Sequence, residues 1–258
     1  MAIHSTAIID PRTHISPDAE IGPYCIVGSD ITIGARTRLM AHVYLEGKLA
    51  IGEDNVFYPY SSCGVAPQDK KYKGEPSETR IGNGNSIREF VTIHRGTEGG
   101  GMVTCIGDSN LLMAYVHVAH DVSIQNNVIL ANGVTFAGHV VVEDYANIGG
   151  LSAIHQFCRI GRHAMIGSYS VIKQNVLPYA ITASDHHVEV YGANRIGLER
   201  RGFPSDAIEA LQNAFRILTR AGLNTSQALA RIEEEIPQTD EVRELLEFIR
   251  GSQRGFLK

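Results

Sequence analysis

One apolar ruler runs through most of this chain. From Ile3, steps of six residues land on Ile9, Ile15, Ile21, Val27, Ile33, Leu39, Leu45, Ile51, Phe57 and Cys63. The register pauses over residues 66–80 and resumes in phase at Ile81, Ile87 and Ile93. A second interruption at 95–104, around Gly99-Gly100-Gly101, shifts the phase by one. Ile106, Leu112, Val118, Ile124, Leu130, Phe136, Val142, Ile148, Ile154, Ile160, Ile166 and Ile172 then follow without a break. Every position is apolar, in a chain that is 43% hydrophobic overall. A period of six cannot keep one face of a 3.6-residue helix apolar. Short strands meeting at corners can, with three hexads closing a triangular coil of about 18 residues. The expected fold is therefore a parallel β-solenoid.

Two further features of the hexads fit this reading. The residue two before the ruler is usually small or β-branched, as at Ala19, Cys25, Val43, Val116, Val128 and Ala146. Residues i and i−2 of an extended chain share a face, so both point into one narrow core. Glycine often follows the ruler, as at Gly22, Gly52, Gly107 and Gly161, where it is expected to relieve a sharp corner.

The ruler stops near Pro178, and helical spacing begins at Ser205. Ile208, Leu211, Phe215 and Leu218 share one helical face. Asn224-Thr225 opens a second helix with Leu229 and Ile232, and Thr239-Asp240 a third with Val242, Leu245, Leu246 and Ile249. Two domains are expected: a β-solenoid over 1–187, with inserted loops near 66–80 and 95–104, and a helical domain over 188–258 that covers the open end.

Composition narrows the function. The net charge of −5 speaks against a sequence-independent nucleic-acid binder. No run approaches the roughly 18 apolar residues of a membrane span. The N-terminal residues carry neither a basic n-region nor an apolar stretch, so no secretory signal is read. Cys25, Cys63, Cys105 and Cys158 are scattered without a CxxC pair and read as small reduced side chains. A cytoplasmic protein with no transmembrane segment is expected.

A coil of about 18 residues stacks n on n+18, roughly 4.8 Å apart. His120, Gly138 and Gln156 then form one column, and Asp121, His139 and Phe157 the next. With His117 and His155, four histidines, an Asp and a Gln gather on neighbouring coils. Each histidine alone reads more readily as a surface or turn residue, but a hydrophobic stack does not require the cluster. Imidazole is suited to general-base work near neutral pH. Asp121 can orient His120, although neighbours in a strand normally face opposite sides. Gly138 lets a backbone N–H approach an oxyanion. Zinc competes for the histidines, but His-x2-His lacks a third evenly placed ligand. The loop over 66–80 is polar and punctuated by Gly and Pro; its Asp69 and Lys71 suit a hydroxylated, phosphorylated ligand.

Gln68-Asp-Lys-Lys-Tyr-Lys-Gly-Glu-Pro76, Thr92-Ile-His-Arg-Gly-Thr97, His117-Val-Ala-His-Asp121, Ala137-Gly-His139, His155-Gln-Phe-Cys158 and Arg200-Arg-Gly-Phe203 stand together in this chain. Jointly they resemble the bacterial acyl-carrier-protein-dependent UDP-N-acetylglucosamine O-acyltransferases, which begin lipid A synthesis. The resemblance covers nearly the whole chain. It implies a left-handed parallel β-helix with a small C-terminal α-helical domain, and a homotrimer with active sites between subunits. The implied reaction moves a 3-hydroxyacyl group from acyl carrier protein to the glucosamine 3-hydroxyl, with no cofactor and no metal.

By that resemblance His120 is the general base, Asp121 its partner and the Gly138 N–H the oxyanion contact. Gln68, Asp69, Lys71, His117, His139 and Gln156 fall on sugar-nucleotide contacts. Asn194, Arg200 and Arg201 fall near the phosphates and nucleoside, and His155 beside the acyl path. Ser168 stands where a glycine in some relatives leaves room for the end of a long acyl chain, so a medium-length donor is expected. Residues 183–191 read as one residue longer than in many members, which bears on the alignment of Asn194. Arg159, Arg162, Lys173, Arg216 and Arg220 supply positive charge for an acidic carrier protein. A 3-amino sugar acceptor, another hexapeptide-repeat acetyltransferase, a zinc β-helix carbonic anhydrase and a purely structural β-helix remain the alternatives.

Overall fold

A computed structural model describes residues 2–183 and 188–258. Short parallel strands stack into three flat faces, built on strands such as Leu111–Leu112, His117–Val118 and Ser123–Ile124. We refer to these as the first, second and third faces. Pairing is in register from coil to coil, His117 on Thr135 and Thr135 on Ala153. At the loops the step lengthens, with Ser62 on Thr92 and Thr92 on His117, so both insertions leave the solenoid without breaking its sheets.

Every ruler residue from Ile21 to Ile172 is buried. Each such side chain contributes about 1.5–3 kcal/mol by leaving water. Ile3, Ile9 and Ile15 are only partly covered or exposed, because the N-terminal end of the stack is open.

The corners work differently from the sequence expectation. The left-handed backbone falls three residues past the ruler, on Tyr24 (φ 57°), His42 (53°), Tyr115 (65°), Asp121 (60°), His139 (62°) and Tyr145 (62°). The glycine after the ruler supplies clearance between coils instead. A Cβ on Gly107 would lie 2.7 Å from the Gln125 carbonyl oxygen of the next coil. The corner residues offset their backbone cost partly by stacking. Tyr24, His42, Tyr60, Phe90 and Tyr115 form a column with ring centroids 4.9–5.2 Å apart along the edge between the first and second faces.

Three buried asparagines replace the small residue of the hexad. Asn55 Oδ1 accepts from the Asn85 N–H and side-chain amide, both at 2.9 Å, and Asn85 Oδ1 accepts from the Asn110 N–H at 2.9 Å. Each Nδ2 donates to a carbonyl of a neighbouring coil, so the ladder is satisfied inside the core.

The boundary expected at 187/188 lies outside the described residues. Beyond it, Glu189–Ala193 still pairs antiparallel with Ala180–Ala183. Four helices follow: α1 (Arg195–Arg200), α2 (Ser205–Arg220), α3 (Thr225–Glu235) and α4 (Asp240–Arg250). The last three are those expected. Asn224 and Gln227 make a capping box on α3, and Thr239 caps α4. The hairpin and α1 were not legible. Arg162 pairs with Glu244 at 3.0 Å and Arg159 lies over the Phe248 ring, tying α4 to the last coils. The tail returns as well, with Phe256 bridged to Asn175.

Candidate active site

The loop over 66–80 leaves the second face beside the strand Thr92–His94, and its base is fixed from below. His94 is hydrogen-bonded to the Ala66 carbonyl at 2.6 Å. Arg95, nearly buried, donates to the Gly64 carbonyl at 2.8 Å and the Tyr72 hydroxyl at 2.9 Å. Asp69 caps its own turn, accepting from the Lys71 N–H. This bracing aims the loop over the edge between the second and third faces. There the corners carry His120-Asp121, Gly138-His139 and Gln156-Phe157.

Together they form a cleft of about 760 Å³. Gln68, Asp69, Lys71, His117, His120, Gly138, His139, His155 and Gln156 all line it, with Asp121 directly beneath His120. Its floor is the outer side of the second face, including Thr135, Ala153 and Val171.

His120 and Asp121 interact in spite of being sequence neighbours. They lie on a corner, and the left-handed backbone of Asp121 turns its carboxylate back under the ring. His120 Nδ1 is 2.7 Å from Asp121 Oδ2, and the carboxylate is fully covered. With Nδ1–H donating to the carboxylate, Nε2 is the acceptor nitrogen facing the cleft. His139 stacks on Phe157 at 4.5 Å and meets His120 edge-on at 5.1 Å. Burial holds His94, His117 and His139 below the ordinary histidine range, so near neutral pH each acts as a neutral hydrogen-bonding group. His117 Nδ1 lies 2.8 Å from the Thr92 hydroxyl.

Gly138 abuts the His120 ring. Among the described residues nothing accepts its N–H, which is available at the cleft. His120, Asp121 and His139 also place donor atoms within 4.8 Å of one another, but both oxygens of Asp121 are already engaged by hydrogen bonds.

Asn194, Arg200 and Arg201 are not in this cleft. They line a second one of about 610 Å³ against the outer side of the first face, with Ile129, Asn147 and Met165. Asn194 commits its amide within the chain: Oδ1 accepts from Gly197 N–H as the cap of α1, and Nδ2 donates to the His163 carbonyl. Ser168 lines neither cleft; it is exposed at the edge between the first and second faces, beside Tyr169.

Of the cations expected to meet a carrier protein, Arg159 pairs with Glu143 and Arg162 with Asp144 and Glu244. Lys173 lines the first cleft, while Arg216 and Arg220 lie together on α2. Sequence reasoning missed Arg254, which the returning tail sets 3.2 Å from His155 Nδ1. It also missed the bracing roles of His94 and Arg95, whose only signal was their place inside Thr92-Ile-His-Arg-Gly-Thr97.

A hexapeptide-built coil with a histidine–carboxylate pair at its edge defines the class, a hexapeptide-repeat acyltransferase. The description "Bacterial transferase hexapeptide (six repeats)" matches residues 106–138, and "Udp N-acetylglucosamine O-acyltransferase; Domain 2" matches residues 175–257. An acyl-[acyl-carrier-protein]–UDP-N-acetylglucosamine O-acyltransferase of Thermodesulfovibrio yellowstonii is 50% identical over 256 residues, covering 99% of both chains. One of Herminiimonas arsenicoxydans is 43% identical over 260 residues, covering 99% of each. Among solved structures, LpxA from Acinetobacter baumannii superposes with a TM-score of 0.96 at 41% identity, covering 100% of both chains. A UDP-N-acetylglucosamine acyltransferase from Bacteroides fragilis gives 0.97 at 40% identity, covering 99% of this chain and 100% of that one. The chain belongs to the acyl-[acyl-carrier-protein]–UDP-N-acetylglucosamine O-acyltransferase family, and its coil is the left-handed parallel β-helix. Among the described residues, no helix is long and apolar enough to cross a membrane.

Proposed function

We propose that this protein moves a 3-hydroxyacyl chain from the thioester of acyl carrier protein to the 3-hydroxyl of UDP-N-acetylglucosamine, the first step of lipid A biosynthesis, in the cytoplasm and without a cofactor. The observation that carries the reading is the pairing of His120, held by a buried carboxylate, with the open N–H of Gly138 in one cleft. A sugar hydroxyl is a poor nucleophile, so His120 Nε2 takes its proton as the oxygen attacks the thioester carbonyl. The Gly138 N–H stabilises the tetrahedral oxyanion, a contribution of about 3 kcal/mol for one such donor. Collapse expels the pantetheine thiolate, which takes the proton back from His120. Asp121 stabilises the imidazolium between the two transfers.

Gln68, Asp69, Lys71, His117, His139 and Gln156 hold the sugar end of the acceptor, and His155 stands beside the acyl path. Lys173 and Arg254 put positive charge at the same mouth. Arg200 and Arg201 reach the phosphates from a neighbouring subunit. The geometry supports a homotrimer for a specific reason. The two clefts lie at the far borders of the second and first faces, and the edge these faces share carries exposed Tyr24, Tyr60, Phe90, Tyr115, Leu151 and Tyr169. Three copies packed edge to edge about that column would bury it and set the first cleft of one copy against the second cleft of the next.

The test is a transfer assay with purified protein, 3-hydroxyacyl carrier proteins, and either UDP-N-acetylglucosamine or its 3-amino counterpart. Ester formation on the hydroxyl sugar is expected. Transfer only to the amine, or acetyl transfer without carrier protein, would replace this reading.

A further inference from the structure

Besides bracing the first loop through Arg95, the second insertion, 95–104, wraps the buried Asp121 carboxylate beneath the cleft. Thr97 grips Asp121 twice. Its backbone N–H donates to Oδ1 at 2.9 Å, and its hydroxyl donates to Oδ2 at 2.6 Å, the same oxygen that receives His120 Nδ1–H at 2.7 Å. From the other side the Thr104 hydroxyl accepts the Asp121 N–H at 2.8 Å. Thr97 is itself only 7% exposed and opens the short turn Glu98–Gly100. The turn closes so tightly that a Cβ on Gly100 would overlap the Asp121 carboxylate. The turn is therefore shaped around this side chain, and the sheet ladder resumes directly after it, with Val103 on Glu78 and Cys105 on Ser123.

We infer that Thr97 is a positioning residue for acyl transfer, acting through Asp121 to hold His120 in the tautomer and rotamer that leave Nε2 bare. A carboxylate on a corner has freedom about χ1 and χ2. Two hydrogen bonds from one residue remove that freedom and leave a single lone-pair direction on Oδ2 for the imidazole. Residues that orient metal-ligating histidines from one step away change activity by about 10–100-fold when deleted, and an effect of the same order is expected where a residue orients a histidine base. The inference rests on the reading of His120 as general base, but one of its readouts does not depend on activity.

Thr97→Val keeps shape and backbone N–H while deleting the hydroxyl, and Thr97→Ser restores it. With the wild-type protein as reference, two quantities are measured: steady-state transfer, and the ring-nitrogen NMR signals of ¹⁵N-histidine-labelled protein, with His120 assigned by its loss in His120→Ala. For Thr97→Val, kcat falls roughly 10–100-fold with the KM for the sugar nucleotide unchanged. Its His120 signals move from the single Nδ1–H form toward a mixture, and Thr97→Ser restores both. A Thr97→Val protein with wild-type kcat and an unmoved His120 signal overturns the inference and leaves the proposed function standing. A wild-type protein without transfer activity removes the function, while the NMR comparison still decides what Thr97 does to His120.

Discussion

The His120 imidazole lies against the α-carbon of Gly138 with no space for a side chain between them: a Cβ there would stand 2.5 Å from Cε1 and 2.8 Å from Nε2 of the ring. The proposed base and the proposed oxyanion donor are thus fixed to each other by contact, across adjacent coils of the stack. Gly138→Ala is expected to push the ring off the nucleophile's line and lower kcat by about 10²-fold or more, with the melting temperature nearly unchanged. Steady-state kinetics beside thermal unfolding check this; full activity in a folded Gly138→Ala protein would show that this contact does not fix the His120 ring.

His120→Ala should leave the fold and the assembly intact, because His120 is a partly exposed corner side chain and not a core one. Turnover should fall about 10²–10⁴-fold, the usual range for a deleted general base. Size-exclusion chromatography and the transfer assay measure the two halves of this statement separately. Near-normal turnover would reassign the base.

The repeat made the coil legible, because a step of six repeated from Ile3 to Ile172 constrains every strand at once. It also placed His120 beside Gly138, since both follow from counting coils. Thr97 was not legible: it reaches Asp121 from a loop whose path the repeat does not govern. The contact between His120 and Asp121 was expected from the motif, but its geometry was not. Strand alternation would separate neighbours, and only the left-handed corner at Asp121 brings them together. Arg200 and Arg201 line a different cleft from His120, which sequence columns describing one chain do not foresee; in the proposed trimer the two clefts would face each other across subunits. The strand Glu189–Ala193 lacked a hexad to announce it.

Asn85 sits between two other buried amides and is 1% exposed. Asn85→Ala keeps the backbone N–H bonded to Asn55 Oδ1 but removes its side-chain donor, and leaves the Gly107 carbonyl and the Asn110 N–H without their partner, inside the core. Each buried group left unsatisfied costs about 1–3 kcal/mol. A loss of several degrees in melting temperature is expected, with kcat retained below the transition. Equal stability of the two proteins would show that water or repacking replaces the ladder.

His163 lies buried between the rings of Tyr145 and Tyr179, and burial, reinforced by Arg201 and Arg162, lowers its pKa to about 4. An unfolded histidine titrates near 6.5. Between those values the unfolded chain binds a proton that the folded one refuses, so stability falls as pH drops from about 6.5 toward 4. The loss from this one group is on the order of 3 kcal/mol at the lower limit, and His94 and His117 act in the same direction. His163→Phe keeps the stack and removes the titration. Urea unfolding at pH 7 and pH 4.5 should show a smaller acid loss for the variant; an identical loss in both proteins would place the acid sensitivity elsewhere.

Acyl-chain length is set, on this reading, by how far the floor of the first cleft extends. From His120 the floor crosses the outer side of the second face over Thr135, Ala153 and Val171, and Ser168 and Tyr169 lie outside the cleft on the edge just before Val171. In the proposed trimer that edge faces the axis, and an acyl tail that extended beyond Val171 would meet the Ser168 side chain. Each methylene left unburied forfeits about 0.8 kcal/mol, and two of them roughly tenfold in transfer efficiency. Carrier proteins loaded with short, medium and long 3-hydroxyacyl chains should therefore show an optimum at medium length. Ser168→Gly should move that optimum upward without changing the KM for the sugar nucleotide. Preference of the wild-type protein for the longest chain, or an optimum that ignores the substitution, would show that the groove ends elsewhere.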